Sequence, residues 1–76
     1  KMKIKLEKID YRENQQKFYN IWIHSDDDMH ELITEYGRLY TYGRRVIKFT
    51  SPSYFDCKKK LDSIVHQKLS KGYEVI

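Results

Sequence analysis

At Ser53 the hydrophobic period of this chain changes, and that change fixes which layers it can fold into. Beyond it, Tyr54, Cys57, Leu61, Ile64, Val65 and Leu69 fall at spacings of 3, 4, 3, 1 and 4. That is one stripe of an amphipathic helix. Ser53 followed by Asp56 is a capping-box variant with a shorter acid at its last position, and Gly72 is placed to stop the helix. A helix over about residues 53–71 would be roughly 28 Å long.

Before Ser53 the period is two. Ile4 and Leu6 alternate with lysines over residues 3–11, and Arg12 to Lys17 is a polar run that predicts a loop. In residues 18–24, Tyr19, Ile21 and Ile23 fall on one face, with Phe18, Asn20 and Trp22 on the other. Whether Trp22 is covered or exposed there is left open by the pattern. Ser25 to Asp28 is a turn signal, and Met29 to Tyr36 predicts a third strand, with Gly37 as a bulge or sharp bend at its end. Gly43 marks a turn before a fourth strand over Arg44 to Thr50. Strands joined by short loops pair antiparallel. The expectation is a single α+β domain over residues 1–76: a small antiparallel sheet of about four strands, with one long C-terminal helix packed across one face.

With 76 residues the chain can bury only one modest core. Cys57 is its only cysteine, so no internal disulfide forms and a reducing, intracellular setting is expected, cytoplasmic in a bacterium or nuclear in a eukaryote. No apolar run is long enough to span a membrane, and the basic start lacks the apolar stretch of a signal peptide. Lys1 ahead of Met2 suggests either an added residue or a chain cut from a longer one.

Catalytic and metal chemistry find little support. Cys57 lies on the helical stripe, where a small buried hydrophobe belongs, and has no local histidine to activate it. His24, His30 and His66 are too dispersed for a local ligand pair. Asp26-Asp27-Asp28 lacks the glycine and downstream glutamate of a calcium loop. No glycine-rich phosphate loop is present. No enzyme, cofactor, metal or small-molecule substrate is expected. Lys58-Lys59-Lys60 reads as either a solvated helix face or a source of phosphate attraction.

The distinctive stretch is "YGRLYTYGRR", residues 36–45. The formal net charge is only +4, yet residues 36–50 hold Arg38, Arg44, Arg45 and Lys48 with no acid. Tyr36, Tyr40 and Tyr42 are separated by even numbers of residues and would share a face of an extended strand, although a bend at Gly37 would leave only Tyr40 and Tyr42 sharing one. Strand packing, a solvated face and nucleic-acid contact all remain open. For the last, tyrosines would stack on bases or sugars, arginines would meet phosphates, and glycines would allow close backbone approach.

The order of features resembles the WGR domain of poly(ADP-ribose) polymerases and of small bacterial proteins grouped with regulators of molybdate metabolism. "NQQKFYNIWI" is similar to the family's entry into its second strand and "ITEYGRLYTYGRR" to its signature strand and turn. "FTSPSYFDCKKKLDSIVHQKLSKGY" is similar to its closing helix. Tyr36, Gly37 and Arg38 take the places of the signature Trp-Gly-Arg, and Tyr40 stands where glycine is common. The resemblance implies DNA-break recognition, with the residue at 36 stacking near a strand end and Arg38 joining a neighbouring domain. It implies no polymerase activity, because no transferase region is present. The expected function is therefore a non-catalytic DNA-binding module that uses Tyr36, Gly37, Arg38, Tyr40, Tyr42, Arg44, Arg45 and Lys48, with ends or nicks as candidate targets. The alternative is a protein-interaction module anchored by Tyr36 and Arg38.

Overall fold

The computed structural model describes residues 2–76, so Lys1 lies outside the described residues. Among those described, the elements run β1 (Ile4–Asp10), β2 (Gln15–Asp26), β3 (Met29–Arg38), β4 (Arg44–Ser51), α1 (Tyr54–Ser70) and β5 (Glu74–Val75). The sheet order is β4-β3-β2-β1-β5, and every neighbouring pair is antiparallel. The α+β class and the covering helix are as expected. The sheet has five strands rather than four, because the two residues after the helix return to pair with β1 at Leu6 and Glu7.

Alternation assigns the faces. Leu6 on β1, Tyr19 and Ile21 on β2, and Leu32 on β3 meet Leu61 and Tyr73 in one buried cluster, with Phe49, Ile64 and Val65 packed against it. Cys57 is fully buried and its thiol lies 3.6 Å from the His30 carbonyl oxygen. The helical stripe is buried only in its middle; Tyr54 and Leu69 at its ends stay exposed.

The helix starts where expected, through a modified cap. The Asp56 amide donates to Ser53 Oγ at 3.3 Å. A full capping box would return a bond from the third-position side chain to the Ser53 amide. Here Ser51 Oγ bridges the gap: it accepts from the Ser53 amide at 3.0 Å and donates to Asp56 Oδ2 at 3.3 Å. A hydroxyl thus supplies the reach that aspartate lacks relative to glutamate.

Two local expectations need correction. Residues Gln15 to Lys17 belong to β2, not to a loop, because they pair in register with Lys8 to Asp10. Gly37 is no bulge: it pairs with Phe18, and β3 continues through Arg38. The register shift of β3 against β4 falls instead at Leu32/Ile33. The chain leaves the ladder at Leu39–Tyr40, where Thr41 donates to the Arg38 carbonyl from its amide at 3.2 Å and from Oγ1 at 2.7 Å.

Within that turn Tyr40 has φ of 70°, the left-handed region that penalises a side chain by about 1–2 kcal/mol. Tyr40→Gly should therefore raise stability by about 0.5–1 kcal/mol, after allowing for the greater unfolded-state freedom of glycine. A higher urea midpoint is the expected result. An unchanged or lower midpoint would mean that the Tyr40 ring makes a stabilising contact in the folded protein.

Candidate nucleic-acid interface

Tyr36 lies on the helix-bearing face of β3, beside the last turn of α1, whose Lys68 lines the same cleft. Its Cα partner on β2 is Tyr19, and the two rings stack with centroids 5.6 Å apart and an interplanar angle of 24°. Tyr73, just after the helix, meets Tyr19 edge-on at 6.4 Å. Tyr19 and Tyr73 are buried, whereas Tyr36 keeps 37% of its surface. The ring of Tyr36 is thus held from one side and offered to solvent on the other.

Three lysines from three elements surround this aromatic group. Lys17 of β2, Lys48 of β4 and Lys68 of α1 line one cleft of about 400 Å³ together with Tyr19, Tyr36 and Tyr73. Lys68 Nζ sits 4.3 Å from the Tyr19 ring centroid and 5.4 Å from that of Tyr73, within cation–π range. Burial lowers the Lys68 pKa, and the like charges of Lys71, Lys17 and Lys48 push it the same way. Among the described residues, the ion pairs join Arg45 to Glu35 and Lys58 to Asp62, so none of the cleft lysines is neutralised.

The signature stretch divides between faces. Arg44 is the Cα partner of Tyr36 and belongs with it on the helix side. Arg38, two residues beyond Tyr36, shares that side by strand alternation. Arg45 is the partner of Glu35 on the opposite side, ion-paired to it at 3.1 Å. Strand alternation therefore separates Arg44 from Arg45, although the two are adjacent in sequence. Tyr40 and Tyr42 are 95% and 97% exposed on the loop, outside the cleft lining.

The two glycines set this geometry. A Cβ on Gly37 would lie 2.9 Å from the Gly43 Cα, and one on Gly43 would lie 2.5 Å from the Tyr36 carbonyl oxygen. The loop folds back tightly enough that neither position admits a side chain without displacing backbone.

On the opposite face Trp22 is only 3% exposed, which answers the question its position raised. Lys3 Nζ lies 4.3 Å and Arg45 Cζ 5.1 Å from its ring. Long cationic side chains thus cover an indole that no second layer covers. The lysines at 58–60 are also locally engaged: Lys58 pairs with Asp62 at 2.9 Å, while Lys59 lies over Phe55 and Lys60 over Phe49.

The WGR domain family model matches residues 2–76, essentially the whole chain. The chain belongs to the WGR domain family. WGR domains are known as non-catalytic, nucleic-acid-binding modules. No curated protein and no solved structure matches this WGR chain. Among its described residues no helix is long and apolar enough to cross a membrane. Lys17 and Lys68 were missed in sequence, because their convergence on Tyr36 depends on strand register and on where the helix ends. The opposite facing of Arg44 and Arg45, by contrast, follows from strand alternation alone.

Two measurements probe this geometry. Burial disfavours the phenolate, so it pushes the Tyr19 and Tyr73 pKa values up, against a smaller opposing effect of the Thr34 hydroxyl on Tyr19. Spectroscopic titration of the folded protein should show these two tyrosines ionising after the others, with Tyr19→Phe removing part of the late step. A single-step titration would contradict the buried pair. Arg45→Ala should uncover Trp22, shifting its emission to the red and increasing its quenching by acrylamide. Unchanged fluorescence would mean that Arg45 is not what covers the indole.

Proposed function

We propose that this WGR domain is a non-catalytic DNA-binding module. A sugar or base packs on the free face of Tyr36, and neighbouring phosphates are held by Arg38, Arg44 and Lys48. The observation that carries this is the aromatic cleft itself: an exposed Tyr36 ring, backed by Tyr19 and lined by Lys17, Lys48 and Lys68. Stacking on an exposed ring is worth about 1–3 kcal/mol per base and tolerates any sequence. Lysine–phosphate contacts add affinity that depends on salt, not on sequence. Strand ends and nicks are the preferred targets, because an interrupted strand exposes a sugar or base face to Tyr36. Gly37 contributes by letting the loop fold against β3, while Tyr40 and Tyr42 stay outside the cleft and Tyr42 lines a pocket on the opposite sheet face. Arg45 serves mainly to cover Trp22, with at most a peripheral phosphate contact.

A protein partner anchored on Tyr36 and Arg38 is the second reading. The nearly complete exposure of Tyr40 and Tyr42 favours it, since tyrosine and arginine are enriched at interface hot spots.

Fluorescence anisotropy with blunt, nicked and 5′-phosphorylated duplexes at two salt concentrations separates the two. DNA binding predicts affinity that falls steeply with salt and favours interrupted strands. Tyr36→Ala should weaken it about tenfold or more, in line with the loss of one stacked group. Arg44→Glu should cost more than Arg45→Glu. Absence of binding at low salt would overturn the DNA assignment and favour a protein partner, which should then be captured in a nuclease-resistant, Arg38-dependent manner.

A further inference from the structure

Strand register creates a second feature that the signature stretch does not contain. Lys8 on β1 is the Cα partner of Lys17 on β2, and Lys17 is the partner of Arg38 on β3. Neighbouring strands lie about 4.7–4.9 Å apart, so three cations cross the sheet in one row about 10 Å long. Alternation from Leu6, Tyr19 and Tyr36 puts all three on the helix side. The chain just past the helix comes against the Lys8 end of the row. A Cβ on Gly72 would lie 3.3 Å from Lys8 Cε. Lys71 and Lys17 are both near enough to lower the Lys68 pKa.

Like charges directly opposite one another destabilise a sheet. Neither ion pair among the described residues relieves this row. Asp10 follows Lys8 on the same strand, but its Oδ1 accepts the amides of Arg12 and Glu13 and shapes the β1–β2 turn instead. The row is therefore a site where the folded chain holds unneutralised charge that a polyanion would relieve.

We infer that Lys8, Lys17 and Arg38 form a track for the backbone of one nucleic-acid strand, holding at least two consecutive phosphates that lead away from the group packed on Tyr36, with Lys68 and Lys71 along its side. This rests on nucleic-acid binding at the Tyr36 cleft. It extends the interface across β1 and β2 and specifies the ligand as an oligonucleotide rather than a mononucleotide. It also couples binding to stability. Each cation in the row costs the free protein something that the bound phosphates recover.

Lys17, at the centre of the row, is the residue to change. The probes are a single-stranded oligothymidylate, followed by anisotropy, and inorganic tripolyphosphate, followed by thermal denaturation of the full chain. At low salt, Lys17→Gln should raise the melting temperature while weakening oligonucleotide binding about tenfold. It should also make the slope of log affinity against log salt less negative by about one. Lys17→Arg should retain affinity, and Lys8→Gln should repeat the Lys17→Gln pattern more weakly. Tripolyphosphate should stabilise the unaltered protein more than Lys17→Gln.

If Lys17→Gln and Lys8→Gln leave affinity and slope unchanged while Tyr36→Ala abolishes binding, the track is overturned and the Tyr36 site stands. If tripolyphosphate stabilises through Lys17 but no oligonucleotide binds, the row serves a different anion and the nucleic-acid track is overturned. If neither probe has any effect at low salt, the track and the DNA-binding function fall together.

Discussion

The helix is shorter than the two central strands it covers, β2 and β3. Seventeen residues of α1 extend about 25 Å at 1.5 Å per residue, whereas twelve residues of β2 extend about 40 Å at 3.4 Å per residue. A single helix can therefore bury one end and the middle of one sheet face, and no more. Cys57 and Leu61 lie in the covered part. Tyr19 and Tyr73 close it off, and beyond them stand Tyr36, Lys17 and Arg38. The candidate interface is the part of the helix-side face that only the last turn of α1 reaches, through Lys68. Its aromatic floor is continuous with the hydrophobic core, so the same packing that stabilises the fold holds Tyr36 in place.

No helix covers the other sheet face, where the loop after β3 lies against Phe18, and the chain shields Trp22 differently. Trp22 lies between Lys3 and Arg45, whose hydrocarbon stems shield the indole while their charges stay in water. The salt bridge from Arg45 to Glu35 fixes one of those shields. One basic residue of the signature stretch is thereby diverted into stabilising the open face, while Arg44 beside it remains with Tyr36. Alternation along β4 thus gives two adjacent arginines two different physical roles.

Much of the fold is legible in sequence because periodicity is a local property. The helix, its start at Ser53 and the alternation that puts Ile4 with Leu6 and Tyr19 with Ile21 all follow from period alone. β5 does not, since two residues carry no period and its pairing is set by where the helix returns the chain. Gly37 was misleading for a related reason. Glycine in a strand suggests a bulge, but here it permits a close approach of Gly43, which lies beyond a turn. The candidate site is less legible still. Tyr36, Arg38, Arg44 and Lys48 could be named because they are neighbours in sequence. Lys8, Lys17 and Lys68 are scattered over sixty residues, and only pairing register and helix length bring them together.

The tyrosine at position 36 fits this arrangement. One face of its ring is already occupied by Tyr19, so a larger indole would gain area only on the outer side. With the ring fixed in advance, a stacking partner meets a surface whose ordering cost was met during folding. The surrounding lysines contribute the opposite kind of energy. Lys68 is partly desolvated and close to other cations, so like charges repel within the cleft. Aromatic preorganisation lowers the cost of binding, and stored repulsion makes the unbound state less favourable. Both effects favour an extended anion with a flat group attached, and the two are independent. A neutral stacking ligand would use only the first, and a simple phosphate only the second. A nucleotide chain joins both in one molecule.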